Sequence, residues 1–190
     1  MAGNPESPLE KEPQDDALWT ALKAYEFDDA DSALTFSARL ARETRWSRRY
    51  TDAVIDEYRK FCYMAQRADH LVTPSDEVDQ VWHLHLIDSE AYRDFCDTVL
   101  GTRFDHGPTR GSGGEETKFR SWYADTLERY RTDFGEPSPE IWPPEYARFA
   151  NADKFVRINA AQYWILPRMR LRTAVGLIIG ITGLIVIFFR

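Results

Sequence analysis

Cysteine is scarce, with two residues, Cys62 and Cys96, in a chain of 190. That excludes a disulfide-rich secreted scaffold. Each cysteine follows a phenylalanine inside a helical pattern, so both are expected as buried free thiols. Residues 1–16 hold three prolines and no apolar run, and no secretory leader is expected there. Residues 1–15, rich in Pro, Glu and Asp, read as a disordered tail. Basic residues are outnumbered, 24 against 31 acidic, for a net charge of −7, which argues against general nucleic-acid binding. The glycine cluster Gly111-Ser112-Gly113-Gly114 is followed by Glu115 and Glu116, not by Gly-Lys-Ser/Thr. It reads as a connector, because two carboxylates would repel a phosphate. No nucleophile–base pair, dinucleotide loop or full metal-ligand set stands out.

Aromatic residues, 14% of the chain, recur at helical spacing. Leu18, Trp19, Leu22 and Tyr25 predict a helix over 16–27, and a cap at 28–32 opens a second to about 43. Tyr50, Val54, Ile55, Tyr58, Phe61 and Cys62 stripe a longer helix over 47–69. A helix over 90–100 is ended by Gly101. Another over 115–134 carries Phe119, Trp122, Tyr123, Leu127 and Tyr130, and a short last one begins at Trp142-Pro143-Pro144. The expectation is an all-α domain over 16–150, with at least five helices, no sheet, and Trp82, Phe95, Trp122 and Tyr123 in its core. Arg45, Arg48, Arg49, Arg59 and Lys60 face Asp52, Asp56 and Glu57, which reads as a paired, solvated surface and not as an anion site. Tyr58-Arg59-Lys60-Phe61-Cys62 is echoed 34 residues later by Tyr92-Arg93-Asp94-Phe95-Cys96. Without a third copy, the echo reads as two helices with similar packing roles and not as a solenoid.

The chain is organised around residues 77–108, which hold three of its four histidines. Ser75 can cap a helix there, with Asp76 and Glu77 at its positive end. Val78, Val81, Trp82 and His85 share one face. His83 and His85, two apart, point roughly 200° from each other on a regular helix, so one ion cannot use both unless the helix breaks. His85 follows the apolar stripe and reads as a neutral core histidine hydrogen-bonded to a neighbouring helix. Asp79 and His83, four apart, can meet on one face. They form either an ordinary surface pair or, with His106 arriving from the loop after Gly101, a site for zinc or another divalent metal. If the helix is broken at Leu84, Asp79, His83, His85 and His106 would form the ligand set together. Cys96 paired with His83 or His106 is a weaker alternative, since Asp94 and Asp97 oppose a thiolate.

Val78-Asp79-x-Val81-Trp82-His83-x-His85-Leu86, followed by Tyr92, Phe95-Cys96, Gly101 and His106-x-Pro108, resembles the signature of the glycine-rich-domain-protein-like family. The resemblance is close over 78–108 and loose over 35–150. It implies a compact helical domain in which Trp82, Tyr92 and Cys96 belong to the structural motif, and it implies no particular activity. The long glycine-rich tail of the plant members is lacking.

Residues 173–189, TAVGLIIGITGLIVIFF, carry no charge and no proline. The length approaches the span of about 20 residues needed to cross a bilayer. Arg168, Arg170 and Arg172 precede it, after Tyr163 and Trp164. The expectation is a single C-terminal transmembrane helix behind a juxtamembrane linker over 151–172, with the domain facing the cytoplasm. Gly176, Gly180 and Gly183 would let two such helices pack closely as a homodimer, but glycine is also common in membrane helices that do not pair, and that is the favoured reading. The leading functional expectation is a tail-anchored module presenting a helical surface to other proteins. The alternative is a metal-dependent enzyme, of hydrolase type, built on the Asp79 cluster.

Overall fold

The computed structural model describes residues 12–107 and 115–150, together with 155 and 162. The chain divides into a unit spanning Met1–Lys154 and a second spanning Phe155–Arg190. The described part of the first unit is all-α. Its helices are α1 Ala17–Ala24, α2 Phe36–Thr44, α3 Arg48–Arg67, α4 Asp76–Ile87, α5 Ser89–Phe95, α6 Glu115–Phe134 and α7 Glu145–Arg148, with a five-residue π turn, Cys96–Leu100, continuing α5. No strand occurs among the described residues. No helix among them is long and apolar enough to cross a membrane. The segment 173–189, with Gly176, Gly180 and Gly183, lies outside the described residues, as do most of 151–172 and 1–11.

α3 is the hub, packing against α1, α2, α4 and α6. Its stripe Val54, Ile55, Tyr58, Phe61 and Cys62 is buried. Each large apolar side chain removed from water there stabilises the fold by about 1.5–3 kcal/mol before entropy is counted. Local chemistry sets where the helices start. Asp16, Thr35, Ser47, Ser75 and Asp88 each accept a main-chain N–H in the first turn of the helix that follows. Arg59 seals the other end of α1 by donating to the carbonyls of Leu22 and Tyr25.

Within the basic cluster, Arg48 pairs with Asp52 and Asp28, Arg59 with Asp56, and Lys60 with Glu57. Two local expectations need correction. α2 begins at Phe36, not after 28–32. Asp28 still serves it, accepting from the Ser37 N–H and hydroxyl, but as a tertiary contact across nine residues. Trp122 is half-exposed, packed edge-on against Phe119 at 5.3 Å. Its neighbour Tyr123 takes the core position, fully buried with its hydroxyl donating to the Pro143 carbonyl.

Candidate metal centre

Ser75 caps α4 by accepting from the Val78 N–H, and twelve residues then run as a regular helix. Helical periodicity places Asp79 and His83 one turn apart at the surface, while Val78, Val81, Trp82 and His85 turn inward. The chain leaves α4 at Asp88, which ends one helix and caps the next. The π turn then brings the chain round, and Gly101 closes it at φ 68 with its N–H on the Cys96 carbonyl. A Cβ on Gly101 would meet nothing within 4 Å among the described residues, so glycine is favoured there by the backbone angle and not by space. Past this point the segment 103–107 runs back along α4.

That return brings His106 to Asp79. His106 Nε2 lies 2.9 Å from Asp79 Oδ1, and His83 Nδ1 lies 3.6 Å from Asp79 Oδ2. The two imidazole rings are 4.6 Å apart between centroids. One ligand atom from each of Asp79, His83 and His106 lies within 4.8 Å of the others. Tetrahedral ligands about 2.0–2.2 Å from a zinc ion are about 3.4 Å apart, so small side-chain rotations close the set. The side chains of Asp79 and His106 are 26% and 23% exposed and that of His83 is 45% exposed, which leaves one side open to a solvent or substrate ligand.

His85 is held elsewhere. It is 1% exposed, and Nδ1 lies 3.2 Å from the Tyr58 hydroxyl. The rings of Tyr25, Phe27, Phe36, Tyr58, Tyr92 and Phe95 surround it. Nε2 has no hydrogen-bond partner among the described residues, and several of these rings stand nearly perpendicular to the imidazole, where an N–H can rest against a π face. Burial pushes the imidazole down to about 4, against a slight upward pull from Asp88. The echo Tyr58…Cys62 and Tyr92…Cys96 therefore flanks this histidine from α3 and α5. Both cysteines are buried and free, and burial pushes the Cys62 thiol well up.

Trp82 lies beneath the cluster. Its ring stacks on Phe104 at 4.3 Å and 13°, and the His106 ring sits 4.5 Å from it. Its Nε1 donates to the Tyr92 hydroxyl at 2.9 Å, and that hydroxyl donates in turn to the Phe104 carbonyl. Burial raises the Tyr92 phenol, so it stays protonated and able to donate. Helical periodicity does not single out Phe104, which stands alone in a loop. The available signal was alternation, in which Phe104 and His106 face inward between the exposed Arg103 and Asp105, as in an extended segment.

Fold and site together define a class: a small all-α domain with a carboxylate and two imidazoles gathered at one surface. The model of the UCP032817-like family matches residues 20–121, more than half of the chain, and the protein belongs to that family. This corrects the resemblance to the glycine-rich-domain-protein-like family. Trp-His-x-His reports the packing of one helix, with Trp82 and His85 inward and His83 outward, whereas the family match runs from α1 into α6. No curated protein and no solved structure matches the chain.

Proposed function

We propose that this protein is a metal-dependent helical domain in which Asp79, His83 and His106 bind a divalent transition metal such as zinc. The observation that carries this reading is the convergence of three ligand atoms within 4.8 Å from a helix and a returning loop. Two imidazoles and one carboxylate suit zinc or iron(II), and three protein ligands leave coordination positions open. An open position can hold a water whose pKa the ion lowers, or a carbonyl or phosphoryl oxygen that it polarises, so the reaction class is metal-assisted hydrolysis.

Metal analysis of the untagged full-length protein tests this. About one equivalent of zinc is expected, and His83→Ala and His106→Ala should each cut it about tenfold or more. His85→Ala, if it folds, should keep its metal. Equal losses in all three variants, or no metal in the wild type, would sink the assignment.

A second reading, in which the domain presents a surface to partner proteins without catalysis, is favoured by the exposed Leu71, Ile87 and Tyr146. Hydrolysis of activated esters by the zinc-loaded protein, lost in Asp79→Asn, separates the two. In either case we place the domain on a membrane through residues 173–189, on the strength of their uncharged composition and the preceding arginines. Truncation after Asn159 is expected to move the protein from the membrane to the soluble fraction. Identical fractionation of the two forms would remove the anchor.

A further inference from the structure

We propose that Tyr92 is the positioning residue of the metal centre: its hydroxyl, fixed by Trp82, pins the Phe104 carbonyl and so presents His106 to Asp79 and His83. This rests on the metal-binding reading and adds the device that assembles the site.

The reason such a device is needed lies in the chain. Asp79 and His83 are rigidly related, because they belong to one helix. His106 belongs to 103–107, a stretch with no regular secondary structure. Its upstream end is tied at Thr102, whose N–H reaches the Cys96 carbonyl at 3.2 Å. Beyond that tie, Tyr92 supplies a side-chain hydrogen bond to the main chain, two residues before His106. The phenol is itself oriented, since it accepts from Trp82 Nε1 at 2.9 Å. Trp82 is 6% exposed and stacks on Phe104, which also packs against Phe61 at 5.8 Å. One indole therefore does three things: it aims the phenol, carries the Phe104 ring and floors the His106 ring. A metal ligand on an untied loop loses conformational freedom when the ion binds. A ligand held in place beforehand loses less, and affinity rises accordingly. The adjoining π turn fits this role, since single-turn π segments occur frequently at functional sites.

The test compares wild type, Tyr92→Phe and a control, Tyr63→Phe, all as full-length protein. Tyr63 also loses a hydroxyl bond, to Asp16 at 3.2 Å, but it belongs to the α1–α3 contact and not to the site. Zinc affinity is measured by competition with a chromophoric chelator, and amide exchange is followed over 102–107 in the zinc-free protein. Tyr92→Phe is expected to bind zinc about 10–100-fold more weakly, with faster exchange at 103–107. Tyr63→Phe should melt lower but keep its zinc affinity. Trp82→Phe, which keeps a ring beneath Phe104 and removes the N–H donor, should move affinity in the same direction and serves if Tyr92→Phe does not fold. A wild type that binds zinc with Tyr92→Phe binding equally well overturns the positioning role and leaves the metal centre standing. A wild type that binds no zinc overturns the metal reading, and the positioning role with it.

Discussion

Glu57→Ala is expected to lower the unfolding free energy by about 3–5 kcal/mol, the cost of leaving a buried charge network without its centre. Glu57 is 8% exposed on α3. Its carboxylate accepts from Trp142 Nε1 at 2.8 Å, from the Tyr130 hydroxyl at 3.1 Å and from Lys60 Nζ at 2.9 Å. Those donors come from the 138–144 connection, from α6 and from α3, so one side chain ties three parts of the chain together. Alanine strands the indole N–H, which is buried with the rest of Trp142 at 1% exposure. It also leaves the Lys60 ammonium, 16% exposed, beside two aromatic rings without its counter-charge. Glu57→Gln keeps an acceptor for Trp142 and should cost less, about 1–3 kcal/mol. Urea titration of the zinc-free protein reads both values. A loss below about 1 kcal/mol for the alanine variant would mean that water replaces the carboxylate, contrary to the burial seen here.

The second large effect is acid sensitivity from His85. Its folded pKa is depressed to about 4 by burial, whereas an unfolded histidine titrates near 6.5. The stability this neutral imidazole allows is therefore fully present above about pH 6.5. It is lost as pH falls toward 4, because in that window the unfolded chain takes up a proton that the folded chain refuses. At about 1.36 kcal/mol per pH unit, the loss between pH 7.5 and 4.5 is roughly 2–3 kcal/mol. His85→Leu removes this titration and the Tyr58 contact with it. Chelator-treated wild type and variant should differ in pH dependence by that amount, while the other histidines, common to both, cancel. Parallel stability curves would show that the imidazole finds water or a partner when charged.

Both effects concern residues whose helical placement was legible and whose partners were not. The 47–69 stripe already put Tyr58, Phe61 and Cys62 on one face, and α3 spans Arg48–Arg67. Nothing in that stripe says that Glu57 turns inward, since a glutamate beside Asp56 and Lys60 reads as solvated. Its role depends on Trp142, 85 residues away in sequence. Trp122 and Tyr123 show the same limit. Adjacent aromatics suit neighbouring faces of α6 equally well, and the Pro143 carbonyl and the Trp142 ring decide for Tyr123. Local capping chemistry suggests that Asp28 caps close to its own position, whereas it acts on Ser37, nine residues on.

For the site, the sequence by itself determined whatever follows from one turn of helix. Asp79 and His83 share a face because they are four residues apart, and His85 leaves that face because it is two residues further on. These relations are rigid wherever α4 forms, and its Ser75 cap and acidic first turn make it form. The arrival of His106 was decided only by tertiary structure. The span 88–107 must bend at Asp88, loosen into a π turn and reverse at Gly101 before Phe104 settles on Trp82. Each step leaves several directions open to an isolated chain. The choice among them falls to packing on the other helices, with Phe61 of α3 and Trp82 of α4 against the Phe104 ring, and to the Tyr92 hydroxyl, aimed by Trp82, on the Phe104 carbonyl. Helical geometry is local and repeats along the chain, whereas the path of a loop is set by the surface it lands on, which exists only once the helices have packed.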